Sequence, residues 1–162
     1  MTELLSGVPF LGMKVPASEL DYVDLVNEGL PVESLEHIVK FVAPTDSEFK
    51  FRIVPKATLH RLMSDVRKKT AQLLREAKGG RVPRSARVAR LNARQSAVVA
   101  RLASVWAQAF HVWKSREAAR EFLYTNHPLL NGRRPIDLVL ENEIGAQLVR
   151  GILGRLEHGS AV

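Results

Sequence analysis

The chain of 162 residues contains no cysteine. That excludes disulfides, cysteine nucleophiles and thiolate metal sites, and it fits a reducing compartment. Aromatic residues make up only 6% of the chain. No apolar stretch approaches the roughly 18 residues a spanning helix needs. Met1 to Leu11 lacks the basic region and long apolar run of a secretory signal. The expectation is a soluble, cytoplasmic protein without a membrane partner. Strand-like alternation, tandem repeats and low-complexity segments are missing. Catalytic patterns are missing too. The five histidines, His37, His60, His111, His127 and His158, show no metal-ligand spacing with carboxylates alongside. Gly79-Gly80 lacks the Gly-Lys-Ser/Thr context of a phosphate loop, and no Gly-x-Ser-x-Gly elbow occurs. His158 beside Glu157 reads as a last-turn cation at a helix end, with Gly159 just beyond it. No catalytic residue, metal or cofactor is expected, and the chain reads as a non-enzyme.

What is present is unevenly distributed charge. The formal net charge is +7. From Arg67 to Arg94 there are ten Lys/Arg against one acid, Glu76, whereas Met1 to Asp46 carries eight acids and two bases. The basicity is one central block, which attracts polyanions through counterion release or serves as a solvated tether.

Apolar spacing is helical almost throughout. Ser18 can cap a helix carrying Leu20, Val23 and Val26 that stops at Gly29. Pro31 opens the next, with Val32, Leu35, Ile38, Val39 and Val42 on one face. Thr45-Asp46-Ser47-Glu48 reads as a capping box for a short helix with Phe49 and Ile53. Another helix starts at Thr58 and runs towards Glu76. Gly79-Gly80 and Pro83 then break the pattern. Val98, Val99, Leu102, Val105, Trp106, Ala109, Phe110 and Trp113 form a wide stripe. Ser115 and Asn142 can cap later helices, the last with Ile144, Leu148, Val149, Ile152, Leu153 and Leu156 inward. The expected division is an amino-terminal module over 1–76, a basic linker over 77–90 and a carboxy-terminal domain over 91–162.

Across residues 46–66, a short helix, a turn and a second helix match the plan of a helix-turn-helix, or of an ordinary helical hairpin. Thr45 to Ile53 would support and Lys56 to Asp65 would read DNA. Lys56, Thr58, His60 and Arg61 would face the groove, and Lys68 and Lys69 would add phosphate contacts. Such motifs usually carry a glycine in the turn, where this chain has Arg52-Ile53-Val54-Pro55. Thr58-Leu59-His60-Arg61 resembles the start of the recognition helix in Xre antitoxins.

The last third carries a closer resemblance. Leu91-Asn92-Ala93-Arg94-Gln95-Ser96 leads into the aromatic-ended helix. Phe122-Leu123, Asn131-Gly132, Pro135, Leu138, Gly145, Val149, Leu153 and His158-Gly159 then follow in order. Together they resemble the toxin-binding domain of Xre/MbcA/ParS-type antitoxins, whose partners are RES-domain toxins that attack or use NAD. The resemblance implies an all-α fold and an antitoxin of a type II toxin–antitoxin pair. Such a protein occludes the toxin's NAD-binding active site, represses its own operon by binding operator DNA, and works as a homodimer. It further implies a toxin-contacting set of Asn126, Leu130, Asn131, Gly132, Arg133, Pro135, Gly145, Arg155, Glu157, His158 and Gly159. The alternative is a stand-alone helix-turn-helix regulator, or a basic nucleic-acid-binding protein without a toxin.

Overall fold

The computed structural model describes residues 7–77 and 80–159. Among them are seven α-helices and no sheet, only two isolated bridges. The all-α class read from the sequence is the observed one. The helices are α1 (Glu19–Glu28), α2 (Val32–Val42), α3 (Lys56–Glu76), α4 (Ala93–Trp113), α5 (Arg116–Tyr124), α6 (Pro135–Glu141) and α7 (Glu143–Glu157). None is long and apolar enough to cross a membrane.

Helix starts follow local chemistry. A helix leaves its first backbone N–H groups without partners, and a short polar side chain supplies one. Ser18 accepts from Asp21 N at 3.1 Å, Ser115 from Ala118 N at 3.3 Å, and Asn142 from Gly145 N at 2.9 Å. At α4 the capping is reciprocal. Gln95 N donates to Asn92 Oδ1 at 2.8 Å, and Asn92 N to Gln95 Oε1 at 3.1 Å.

Helix α4 is the axis of the fold. Its Val99, Leu102, Ala103, Val105, Trp106 and Ala109 are wholly buried. Alanines on a long helix let neighbours approach on several sides, and α1, α2, α5, α6 and α7 all pack against α4. Phe10 packs edge-on against Phe41, with ring centroids 5.2 Å apart, and against Trp106 at 6.5 Å. One continuous apolar cluster runs from Leu11 to Leu153.

The segment expected as a linker contributes to that cluster. Val82 and Ala89 are buried. Val32 N donates to Ala89 O and Leu91 N to Leu30 O, both at 2.9 Å. Gly29 sits at φ 112° where a Cβ would lie 2.2 Å from Leu91 O, so only glycine fits this close approach. Three further bonds cross between the two halves of the chain: Leu30 N to the buried Ser96 Oγ at 2.8 Å, Arg120 Nη1 to Phe41 O at 2.9 Å, and Arg52 Nη2 to Asp137 Oδ1 at 2.8 Å.

The helix expected over Thr45 to Ile53 does not form. In its place is a single 3-10 turn, Phe49–Arg52. The expected Thr45–Glu48 capping box is not made, since Glu48 N bonds instead to Asp46 Oδ1 at 3.0 Å. Burial explains the tighter backbone. Phe49 and Val54, five residues apart, both enter the core, and Pro55 steers the residue before it away from helical backbone. Two of the expected apolar faces also differ. Leu20 and Val23 on α1, and Ile144 and Leu148 on α7, are more than half exposed.

Candidate functional site

The carboxy-terminal helices present a shaped surface built from one reversal and one elbow. After α5, the backbone of His127 pairs with Arg133, closing a loop around the 3-10 turn Pro128–Leu130. Asn131 (φ 53°) and Gly132 (φ 72°) take the two left-handed positions. This is the use of positive φ that an Asn-Gly pair serves at low steric cost. Leu130 is buried under the loop, while Leu129 points outward at 65% exposure. Arg133 pairs with Glu141 at 2.6 Å.

The elbow joins α6 to α7. Asn142 ends one helix and caps the other. Gly145 packs directly on α6, where a Cβ would lie 2.3 Å from Leu138 O. Pro135 and Gly145 are buried, so with Leu130 they shape the surface from beneath rather than line it. Asn126, Asn131, Gly132, Arg133, Arg155, Glu157, His158 and Gly159 lie at or near the surface.

Between the ends of α4, α5 and α7 lies an open groove of about 380 Å³, lined by Trp113, Phe122, Thr125, Asn126, His127 and Leu156 among others. Trp113 and Phe122 are 6.1 Å apart between ring centroids, and Phe122 meets His127 edge-on at 6.0 Å. Trp113 is 40% exposed. At the groove's end, Glu157 Oε1 is 3.0 Å from His111 Nε2, and Lys114 Nζ is 3.3 Å from His111 Nδ1. Of these residues only Asn126 and Glu157 belong to the set expected from the sequence. Trp113, Phe122 and Leu156 read as ordinary core positions because they continue apolar stripes. What distinguishes them is that they line this open groove, with Trp113 40% exposed.

Helix α7 carries a second exposed line. Ile144, Leu148, Gly151 and Arg155 recur at four, three and four residues, along one edge of the helix. The inward face is Gly145, Ala146, Val149, Ile152 and Leu153.

The site is anchored by an ion-pair junction. Arg134 donates to both carboxylate oxygens of Asp137, at 2.8 and 3.1 Å, and Arg52 adds the third bond. Partial burial raises the Asp137 pKa. The hydrogen bonds and charges of Arg134 and Arg52 more than offset this, leaving it below the usual value. A carboxylate so depressed adds stability above its unfolded pKa, which is lost as pH falls through the folded one. Asp137→Asn should therefore destabilise the protein by about 1 kcal/mol at neutral pH, since the pair is partly exposed. The deficit against the unmutated chain should shrink as pH falls below about 4. Urea unfolding at both pH values checks it, and an equal deficit at both would remove the ionic contribution.

The expected DNA-facing residues all lie on α3. Lys56, His60, Arg61, Lys68 and Lys69 are exposed and Thr58 is half-buried. They do not share one face. Arg61 and Lys68 are seven residues apart, nearly two turns, and Arg75 continues the same line. Lys56 and His60 fall on another side, and Lys56 Nζ lies over the Phe51 ring at 5.6 Å.

No curated protein matches the chain. Residues 108–159 match a family model, that of the antitoxin Xre/MbcA/ParS C-terminal toxin-binding domain. The match opens in the last turns of α4 and closes at Gly159, so it takes in the groove, the reversal, the elbow and all of α7. Over this segment, about a third of the chain, it is similar to the toxin-binding domain of Xre/MbcA/ParS antitoxins.

Proposed function

We propose that the protein is the antitoxin of a type II pair and that its partner is a RES-domain toxin. The groove bounded by Trp113, Phe122 and Leu156 carries this reading. It is a concave apolar surface with an exposed aromatic and a few polar groups, which is the composition of a protein-docking anchor site. In the proposal, the toxin seats on this groove and the end of α7 reaches its NAD-binding cleft. Arg155 suits such a cleft, because a guanidinium binds carboxylate or phosphate in a bidentate manner. The domain needs no chemistry of its own, since occluding the cleft is enough.

The same reading includes repression of the operon. The line of Arg61, Lys68 and Arg75 on α3 offers phosphate contacts, each of which would steepen the salt dependence of binding. A homodimer would present two such lines to paired half-sites. A stand-alone regulator would share this basic helix, but leaves the apolar groove without a use.

Growth under co-expression with a RES-domain toxin tests the proposal. The intact chain should restore growth and co-purify with the toxin. Deleting residues 155–162 should leave a helical protein that no longer protects. Full protection by the truncated chain would remove the α7 end from the mechanism, and no rescue by the intact chain would remove the antitoxin reading.

A further inference from the structure

Two unpartnered faces of opposite charge lie outside the toxin-binding segment. The first is on α1. Leu20 is 69% and Val23 52% exposed. Around them stand Glu19, Asp21, Asp24 and Glu28, all exposed and none in an ion pair among the described residues. The helix contains no basic residue. The second face is on α3. Beyond Val66 this helix leaves the core and packs mainly on the 3-10 turn Arg84–Arg87. Between the two runs a groove of about 420 Å³, with Met63, Val66, Ala71 and Leu74 along it and Arg67 and Arg87 at its sides. Met63 and Leu74 are nearly half exposed, and neither arginine makes an ion pair among the described residues.

Each face has what the other lacks. An acidic helix with an apolar ridge fits a basic groove with an apolar floor, and neither set of charges is ion-paired among the described residues. Within one chain α1 is packed on α4, so its free face points away from its own body. We propose that the groove between α3 and the Arg84–Arg87 turn binds α1 of a second copy, reciprocally, so that each subunit gives one helix and receives one. Reciprocity closes the assembly as a two-fold dimer rather than an open chain. It also doubles an area that one ten-residue helix would leave below that of a stable interface. The contact uses the apolar side of α3 and leaves Arg61, Lys68 and Arg75 outward. This inference rests on the homodimer included in the proposed function and assigns its surfaces.

Charge reversal tests it on the full chain by sedimentation equilibrium, with circular dichroism as the control for folding. The wild type should be dimeric. Asp21→Lys with Asp24→Lys in one variant, and Arg67→Glu with Arg87→Glu in another, should each raise the dimer dissociation constant at least tenfold. Mixing the two variants should restore a dimer, because both contacts in the mixed pair then join opposite charges. A monomeric wild type would overturn the dimer and this assignment together. A wild-type dimer that neither variant weakens, or two folded monomeric variants that do not pair when mixed, would overturn the assignment alone. Variants that remain dimeric but lose toxin or DNA binding would give these faces to those partners and overturn it equally.

Discussion

Replacing Trp106 by alanine is expected to cost about 3–5 kcal/mol, the range for emptying a buried large aromatic site. Set against total stabilities of about 5–15 kcal/mol, that is a large fraction. The indole is wholly buried on α4 and touches Phe10 and Phe41 from the amino-terminal half. Its loss should therefore weaken both halves at once. Its Nε1 has no hydrogen-bond partner among the described residues, so Trp106→Phe should cost much less than Trp106→Ala. Trp113 is the chain's only other tryptophan, and its fluorescence reports the carboxy-terminal end while far-ultraviolet dichroism reports all helices. In urea the two signals should coincide in one transition, shifted together by Trp106→Ala. Two separated transitions, with only one shifted, would mean that the halves fold independently.

The second large effect is expected at the groove. Trp113→Ala removes an exposed aromatic from the rim of the site while leaving most of the core intact. If the toxin seats there, Trp113 has the traits of a binding hot spot, an aromatic with a partly preformed pocket around it. Its truncation should then cost about 2 kcal/mol or more in affinity, roughly a 30-fold rise in Kd. Leu129→Ala, at the tip of the reversal, supplies a neighbouring comparison with a smaller expected loss. A fall in affinity from Trp113→Ala without a matching fall in thermal stability separates contact from structure.

Local chemistry was legible in the sequence where one residue type has one use. Ser18, Ser115 and Asn142 were readable as caps, and the Asn131-Gly132 reversal followed from tolerance of positive φ. The Asn92–Gln95 capping box is equally written in the sequence, as an Asn followed three residues later by Gln. Periodicity was less informative about which apolar residues face inward. Ile144 and Leu148 obey helical spacing as well as Val149 and Ile152 do, but α6 and α4 cover only one side of α7. How far a neighbouring helix extends is a tertiary fact, and the groove at Trp113 takes its lining from α4, α5, the loop after α5 and α7, which only the fold brings together. That no helix forms over 45–53 was unreadable for a related tertiary reason. The apolar residues of this stretch suited a helix, yet burying both Phe49 and Val54 required a tighter turn. The pairing of Ala89 and Leu91 with the α1–α2 junction gave no local signal, since Gly and Pro nearby suggest a tether whether or not the backbone finds a partner.

Neutralisation of a RES-domain toxin is tested by titrating the purified toxin with the full-length chain, following both binding and NAD turnover. Binding should be saturable and should suppress turnover in step with occupancy, with Trp113→Ala requiring roughly 30-fold more protein for the same suppression. A folded chain that leaves turnover unchanged, or a Trp113→Ala variant that suppresses it as well as the wild type, would contradict neutralisation through this groove.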